Sequence, residues 1–241
     1  MSQSKPDYGT DGNPKAMVVF LCTIIIADVL LFLATSMLFR MAAYLLSAIG
    51  LLFLAHFVWG LPYVKFGKLR HRDALLSFIE WKGNETVLDI GTGRGLLLIG
   101  AAKKLRQGKA IGIDIWRKQD MVENSPEGAL RNAELEGVSD RIDLRNEDIR
   151  ETSFPHESFD VVLSNLCLHN IPGKEERRRA CREIVRILKP NGIAVISDAF
   201  HIEQYHDVFK SEGLEAKIVK AKFPPTSLWL PVVVAVKKAG A

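Results

Sequence analysis

Two long apolar runs occupy the first quarter of the chain. "AMVVFLCTIIIADVLLFLATSMLF", Ala16 to Phe39, carries a single charge, Asp28. After Arg40, "MAAYLLSAIGLLFLAHFVW", Met41 to Trp59, carries no charge unless His56 is protonated. At about 1.5 Å per residue, each run is long enough to cross a hydrocarbon core of about 30 Å. Their closeness predicts a transmembrane helical hairpin over 16–64, with a polar N-terminal tail over 1–15. The basic cluster "KFGKLRHR", Lys65 to Arg72, follows the second run, and positive flanks stay in the cytoplasm. The expectation is a two-span membrane protein whose remaining residues, 65–241, lie on the cytoplasmic side. Asp28 is costly at mid-membrane depth and marks either a helix contact or a role with substrate. In a tight hairpin it lies near the level of His56.

Beyond the hairpin the pattern changes. Short apolar strands alternate with amphipathic helices: "LRHRDALLSFIEW" helix, "TVLDI" strand, "GLLLIGAAKKL" helix, "KAIGIDI" strand, "PEGALRNAELEG" helix, "RIDLRNED" strand, "FDVVLSN" strand, "KEERRRACREIVRIL" helix, "IAVISD" strand. Ser125 and Pro126 suit the cap and first position of the third helix. "KPNG" reads as a turn. This order predicts an α/β fold with a mostly parallel, doubly wound sheet. "EAKIVKAKF" and "LWLPVVVAVKK" have no helix between them, so they should pair antiparallel and bring the sheet to seven strands.

Composition narrows the classes. The chain has 241 residues, a net charge of +4 and three cysteines. The charge does not call for nucleic acid, which needs a concentrated basic face. Cys22, Cys167 and Cys181 are too scattered for a disulfide framework or metal-ligand spacing, so no metal is expected. Cys167 and Cys181 read as ordinary buried thiols. The "RRR" at 177–179 reads as a solvated helix face.

The chemistry concentrates at "VLDIGTGRG", Val87 to Gly95. A glycine-rich turn between a strand and a helix lets a ligand approach the backbone at the carboxyl end of a sheet. A GxGxxG dinucleotide loop would need glycine at 96, where the chain has Leu96. Asp89 stands ahead of the loop, where a carboxylate disfavours a pyrophosphate and suits a ligand with a positive amino group. The second strand ends near Asp114, the place for an acid that takes ribose hydroxyls. The third ends at Asp148, where a carboxylate can take an adenine amino group.

With these stretches in place, the chain resembles the class I methyltransferases that use S-adenosylmethionine, of the small-molecule kind. "VLDIGTGRG", "AIGIDIW", "LRNEDI", "FDVVLSNLCLHNI" and "REIVRILKPNGIAVISD" carry the likeness, in the family's order and spacing. It covers roughly Leu69 to the C-terminus. The resemblance implies that Asp89, Gly91, Thr92, Gly93 and Gly95 hold the methionine part of the cofactor. It implies that Asp114 binds the ribose, that Ile115 and Trp116 flank the adenine, and that Asp148 and Ile149 meet its other edge. Asn165 would bound the methyl-donor side. The segment "RKQDMVENSPEG" is longer than in the plainest members.

Methyl transfer needs an aligned nucleophile and, where that nucleophile carries a proton, a base. His169, just after the fourth strand, is the first candidate base, and His201, after the fifth, is the second. Tyr205 and His206 are weaker and read as helix-surface residues. The absence of an "NPPY"-type tetrapeptide after the fourth strand argues against adenine or glutamine-amide acceptors. A membrane tether would favour a hydrophobic or lipid-like small acceptor, and the hairpin could pair two copies. The competing readings are a non-catalytic S-adenosylmethionine-binding scaffold in the membrane and an NAD-dependent reductase.

Overall fold

The computed structural model describes residues 5–9, 14–33, 37–62, 67–117, 124–220 and 230–239. Two helices come first, α1 (Pro14–Phe32) and α2 (Met37–Pro62), packed against each other. They correct the membrane expectation. Among the described residues, no helix is long and apolar enough to cross a membrane. The first apolar run is not one helix, since α1 ends at Phe32 and α2 already begins at Met37. The charge-free part of α1, Ala16 to Ala27, falls in the length class of a core helix, well short of the roughly 20 residues of a span. Asp28 then accepts a hydrogen bond from the Ser47 hydroxyl of α2, a polar contact between the two helices. The two spans, the tether and the cytoplasmic orientation are withdrawn together. The side chain of His56 lies outside the described residues.

The remaining elements are α3 (Lys68–Leu76), β1 (Thr86–Ile90), α4 (Leu96–Ala102), β2 (Lys109–Asp114), α5 (Pro126–Leu135), β3 (Ile142–Asn146), β4 (Phe159–Asn165), α6 (Lys174–Ile187), β5 (Leu188–Ser197), α7 (Ile202–Ser211), β6 (Glu215–Lys220) and β7 (Pro231–Val236). The sheet runs β3-β2-β1-β4-β5-β7-β6. Strands β1 to β5 are parallel, and β7 is antiparallel to both β5 and β6. This is the expected seven-stranded Rossmann-like sheet with a reversed last strand.

The strands are apolar because both faces are covered. Side chains alternate faces along a strand. Val87 packs with α3 and α4 on one side, while Leu88 and Ile90 pack with α6 and α7 on the other. Val195 and Ile196, and Val232 and Val233, divide in the same way. Several local readings change. β3 ends at Asn146, so Asp148 lies two residues past the strand, and α3 ends at Leu76, short of the expected Trp81. "KPNG" is drawn into β5, which begins at Leu188 and shifts register against β4 between Phe159 and Val161. Ser125 has the extended backbone of a cap but makes no side-chain cap bond. The segment "PPTS" and residues 118–123 lie outside the described residues.

Strand order reverses between β1 and β4. Their carboxyl ends therefore open a crevice, the place where ligands bind in open α/β sheets.

Candidate active site

The crevice is a cleft with about 1200 Å³ of open space. Its floor is the loop from β1 to α4. Asp89, the penultimate residue of β1, is 2% exposed. Its Oδ2 accepts the Thr92 hydroxyl at 2.7 Å and the Leu98 amide at 3.0 Å. Burial pushes its carboxyl up to about 7, opposed by those two hydrogen bonds. The loop turns on Gly91, Gly93 and Gly95, with φ of +68°, +50° and +84°. Only glycine visits this region without steric cost. Gly91 is also held by space: a β-carbon there would lie 2.2 Å from Cys167 Sγ. Gly95 starts α4, and its amide donates to Thr92 O at 2.8 Å.

Asp114 ends β2 and binds this loop. Its Oδ2 accepts the Gly93 amide at 2.9 Å and its Oδ1 the Trp116 amide at 2.8 Å. A carboxylate oxygen has two lone pairs, so these bonds fix the group and leave it able to accept more. Ile115 beside it is 43% exposed and lines the cleft. Asp148 also lines the cleft, but Arg150 clasps it, with Nη2 at 2.6 Å and Nε at 3.0 Å from Oδ2. That ion pair holds the Asp148 carboxyl below its usual range.

At the β4 side, Asn165 Oδ1 lies 3.0 Å from His71 Nε2, which also meets Ser197 Oγ at 2.9 Å. His71 thus joins the ends of β4 and β5 from α3. It is 2% exposed, and burial pulls its pKa down to about 4, so the ring is neutral at pH 7.

Past β4, the amide of His169 donates to Asp198 Oδ2 at 3.0 Å, and its Nδ1 lies 2.5 Å from Asp198 Oδ1. Asp198 is fully buried and also accepts the Ala199 amide and the Tyr205 hydroxyl. Phe200, 62% exposed, makes a T-shaped contact with the His169 ring, centroids 5.9 Å apart.

Of the residues expected from sequence, Asp89, Gly91, Thr92, Gly93, Asp114, Ile115, Asp148, Ile149 and Asn165 line one cleft. Gly95, Trp116, His169 and His201 do not line it. Trp116 serves through its backbone. His201 is exposed, with φ +61°, and its carbonyl accepts the Tyr205 amide as α7 begins. Two readings are corrected. Tyr205 is no surface residue, because it is fully buried with its hydroxyl on Asp198. Cys167 is only half-buried and forms part of the cleft wall. Sequence reasoning missed His71, Arg150, Lys68 and Tyr8. Asp198 carried a signal, since it directly follows the fifth strand, β5, much as Asp114 ends the second.

Residues 88–196 match the family model described as a methyltransferase domain. The domain is a class I, S-adenosylmethionine-dependent methyltransferase domain. An uncharacterized methyltransferase from Mycobacterium bovis is 32% identical over 128 residues, covering 53% of this chain and 57% of that protein. The ribosomal protein L11 methyltransferase of Syntrophotalea carbinolica is 32% identical over 162 residues, covering 64% of this chain and 48% of that one. The chain thus spans about half the length of the curated relatives it matches. Among solved structures, a SAM-dependent methyltransferase from Aquifex aeolicus superposes with a TM-score of 0.55 at 18% identity, covering 68% of this chain and 88% of that one. This last likeness concerns the fold alone.

The cleft fits S-adenosylmethionine. Left-handed glycines open the loop backbone to a ligand, and the carboxyl groups of Asp89 and Asp114 flank that loop in the cleft lining. A nicotinamide dinucleotide fits less well, because the loop lacks the third glycine of a GxGxxG turn and has Leu96 in its place.

Proposed function

We propose that this chain transfers a methyl group from S-adenosylmethionine to a small-molecule acceptor. One observation carries the reading: three left-handed glycines press the loop backbone between the strand-end carboxylates Asp89 and Asp114. When bound, the cofactor supplies an electrophilic methyl on a positively charged leaving group. In this reading Asp89, Thr92 and the glycine loop receive its methionine part. Asp114 takes the ribose, Ile115 and Ile149 enclose the adenine, and Asn165 bounds the methyl side. Asp148 serves the adenine edge with Arg150 attached, so the two act there as a unit.

His169 is the base in this proposal. Asp198 accepts from Nδ1–H and thereby leaves the basic lone pair of the neutral ring on Nε2. The arrangement follows the orienting logic of a carboxylate behind a catalytic imidazole. His169 stands beside the cleft wall formed by Cys167, Asn170 and Ile171, so the acceptor's nucleophilic atom sits at that rim. Exposed Phe200 offers it an apolar surface. His201 has no carboxylate partner among the described residues and takes no part in the proposed chemistry.

The test is incubation of the full chain with labelled methyl donor and a panel of phenols, thiols, amines and carboxylic acids. Label transferred to a small acceptor, and lost in His169→Gln, supports the proposal. Label found only in protein or nucleic acid contradicts it.

A further inference from the structure

Residues 5–9 read as a polar tail in the sequence, yet they form a strap over the methionine end of the cleft. Their anchor is Asn132 of α5, itself 2% exposed. Its Oδ1 accepts the Asp7 amide at 3.0 Å, and its Nδ2 donates to Asp7 O at 2.8 Å. The same Nδ2 donates to Arg94 O, inside the glycine loop, at 2.9 Å. One buried amide thus ties the strap to the loop. Arg94 repeats the link from its side chain, with Nη1 3.1 Å from Asp7 Oδ2. Next along, the Tyr8 hydroxyl donates to Glu136 at 2.9 Å, and the ring packs on the apolar cluster beneath α4. Gly9 O accepts from Lys68 Nζ of α3 at 2.7 Å. Tyr8 and Lys68 both line the cleft.

A five-residue segment with no secondary structure of its own does not hold such a place through local propensity. Ordering it costs about 1–2 kcal/mol per residue, so its fixed position rests on contacts from three separate elements. The contacts converge beside Gly91–Gly95, where in the proposed reading the amino-acid end of the cofactor rests. Lys68 brings a cation there, 7% exposed, where a carboxylate is the suited ligand.

We infer that the strap is a wall of the cofactor site: Tyr8 covers the methionine end, Lys68 faces its carboxylate, and the strap governs how fast the cofactor leaves. The inference rests on the proposed methyltransferase reading. The same hub couples the two sides, since a cofactor that fixes the loop at Arg94 also fixes the strap through Asn132.

The experiment is stopped-flow release of S-adenosylhomocysteine from the full-length chain, with hydrogen exchange of the Tyr8 and Gly9 amides as a second readout. Thermal melting of each unliganded variant checks the fold. Tyr8→Ala is expected to release the ligand about tenfold faster. Tyr8→Phe, which keeps the ring, is expected to restore slow release. Ligand is expected to slow exchange at both amides in the wild type. Release and exchange indifferent to Tyr8→Ala, while Asp114→Ala abolishes binding, would overturn the strap alone. Failure of the wild type to bind would overturn the methyltransferase reading and the strap with it.

Discussion

The Cys167 side chain fills the space that a side chain on Gly91 would need. A β-carbon on Gly91 would meet Cys167 Sγ at 2.2 Å and Cβ at 2.5 Å. The contact joins the loop after β1 to the loop after β4, across the switch point of the sheet. Gly91→Ala therefore carries two penalties, the clash and a left-handed φ of +68°. The backbone part alone costs about 1–2 kcal/mol. The variant is expected to lose S-adenosylhomocysteine binding and to melt earlier. Adding Cys167→Gly removes the clash but not the strain, so the double variant should recover part of the stability. A double variant no more stable than Gly91→Ala alone would contradict this account.

Two buried groups make stability respond to pH with opposite signs. His71 has its folded pKa lowered to about 4 by burial, below the ordinary value near 6.5. The unfolded chain therefore binds more protons between those values, and the contribution of His71 is lost as pH falls from 6.5 toward 4. Its upper bound is about 3 kcal/mol. Asp89 is raised by burial to about 7. The folded chain there holds the extra proton, so its contribution is lost as pH rises from about 4 to 7. His71→Gln should flatten the acid-side decline of urea midpoints, and Asp89→Asn should flatten the decline toward neutrality. Variant pH slopes equal to that of the wild type would refute the assignment.

Asp198 separates orientation from binding. It is fully buried and holds His169 through both the backbone amide and Nδ1. Asp198→Asn is expected to leave S-adenosylhomocysteine affinity unchanged. Turnover of a protonated acceptor should drop by about 10²-fold or more, with the pH profile displaced. Unchanged turnover would remove His169 from the mechanism.

The sheet was legible because its signals are local. Strands β1 and β4 keep their expected bounds, since apolar runs closed by glycine or polar residues fix strand ends. The loop glycines and Asp114 at the end of β2 were legible for the same reason, whereas β3 stops at Asn146, two residues before Asp148. His71 was not, because "KFGKLRHR" reads as a charged flank until α3 folds onto β4 and β5. Asn132 could not be foreseen as the hub of the strap, because it meets Asp7 across 125 residues that no local pattern spans; Arg150 is only two residues from Asp148, and their pairing was overlooked although it is local. The hairpin failed for a different reason. Counting apolar letters passed over the helix break after α1, while Asp28, weighed as a helix contact or a role with substrate, meets Ser47 of α2.

The central claim is that the cleft holds S-adenosylmethionine through the glycine loop and Asp114. Asp114 bonds Gly93 as well as facing the cleft, so its removal strikes the ligand and the loop together. The most direct measurement is calorimetric titration of S-adenosylhomocysteine into the full chain, beside Asp114→Ala. The account predicts micromolar binding by the wild type, weakened at least about 10²-fold in the variant. A folded wild-type protein that takes up no ligand, or a variant that binds as well as the wild type, would contradict it.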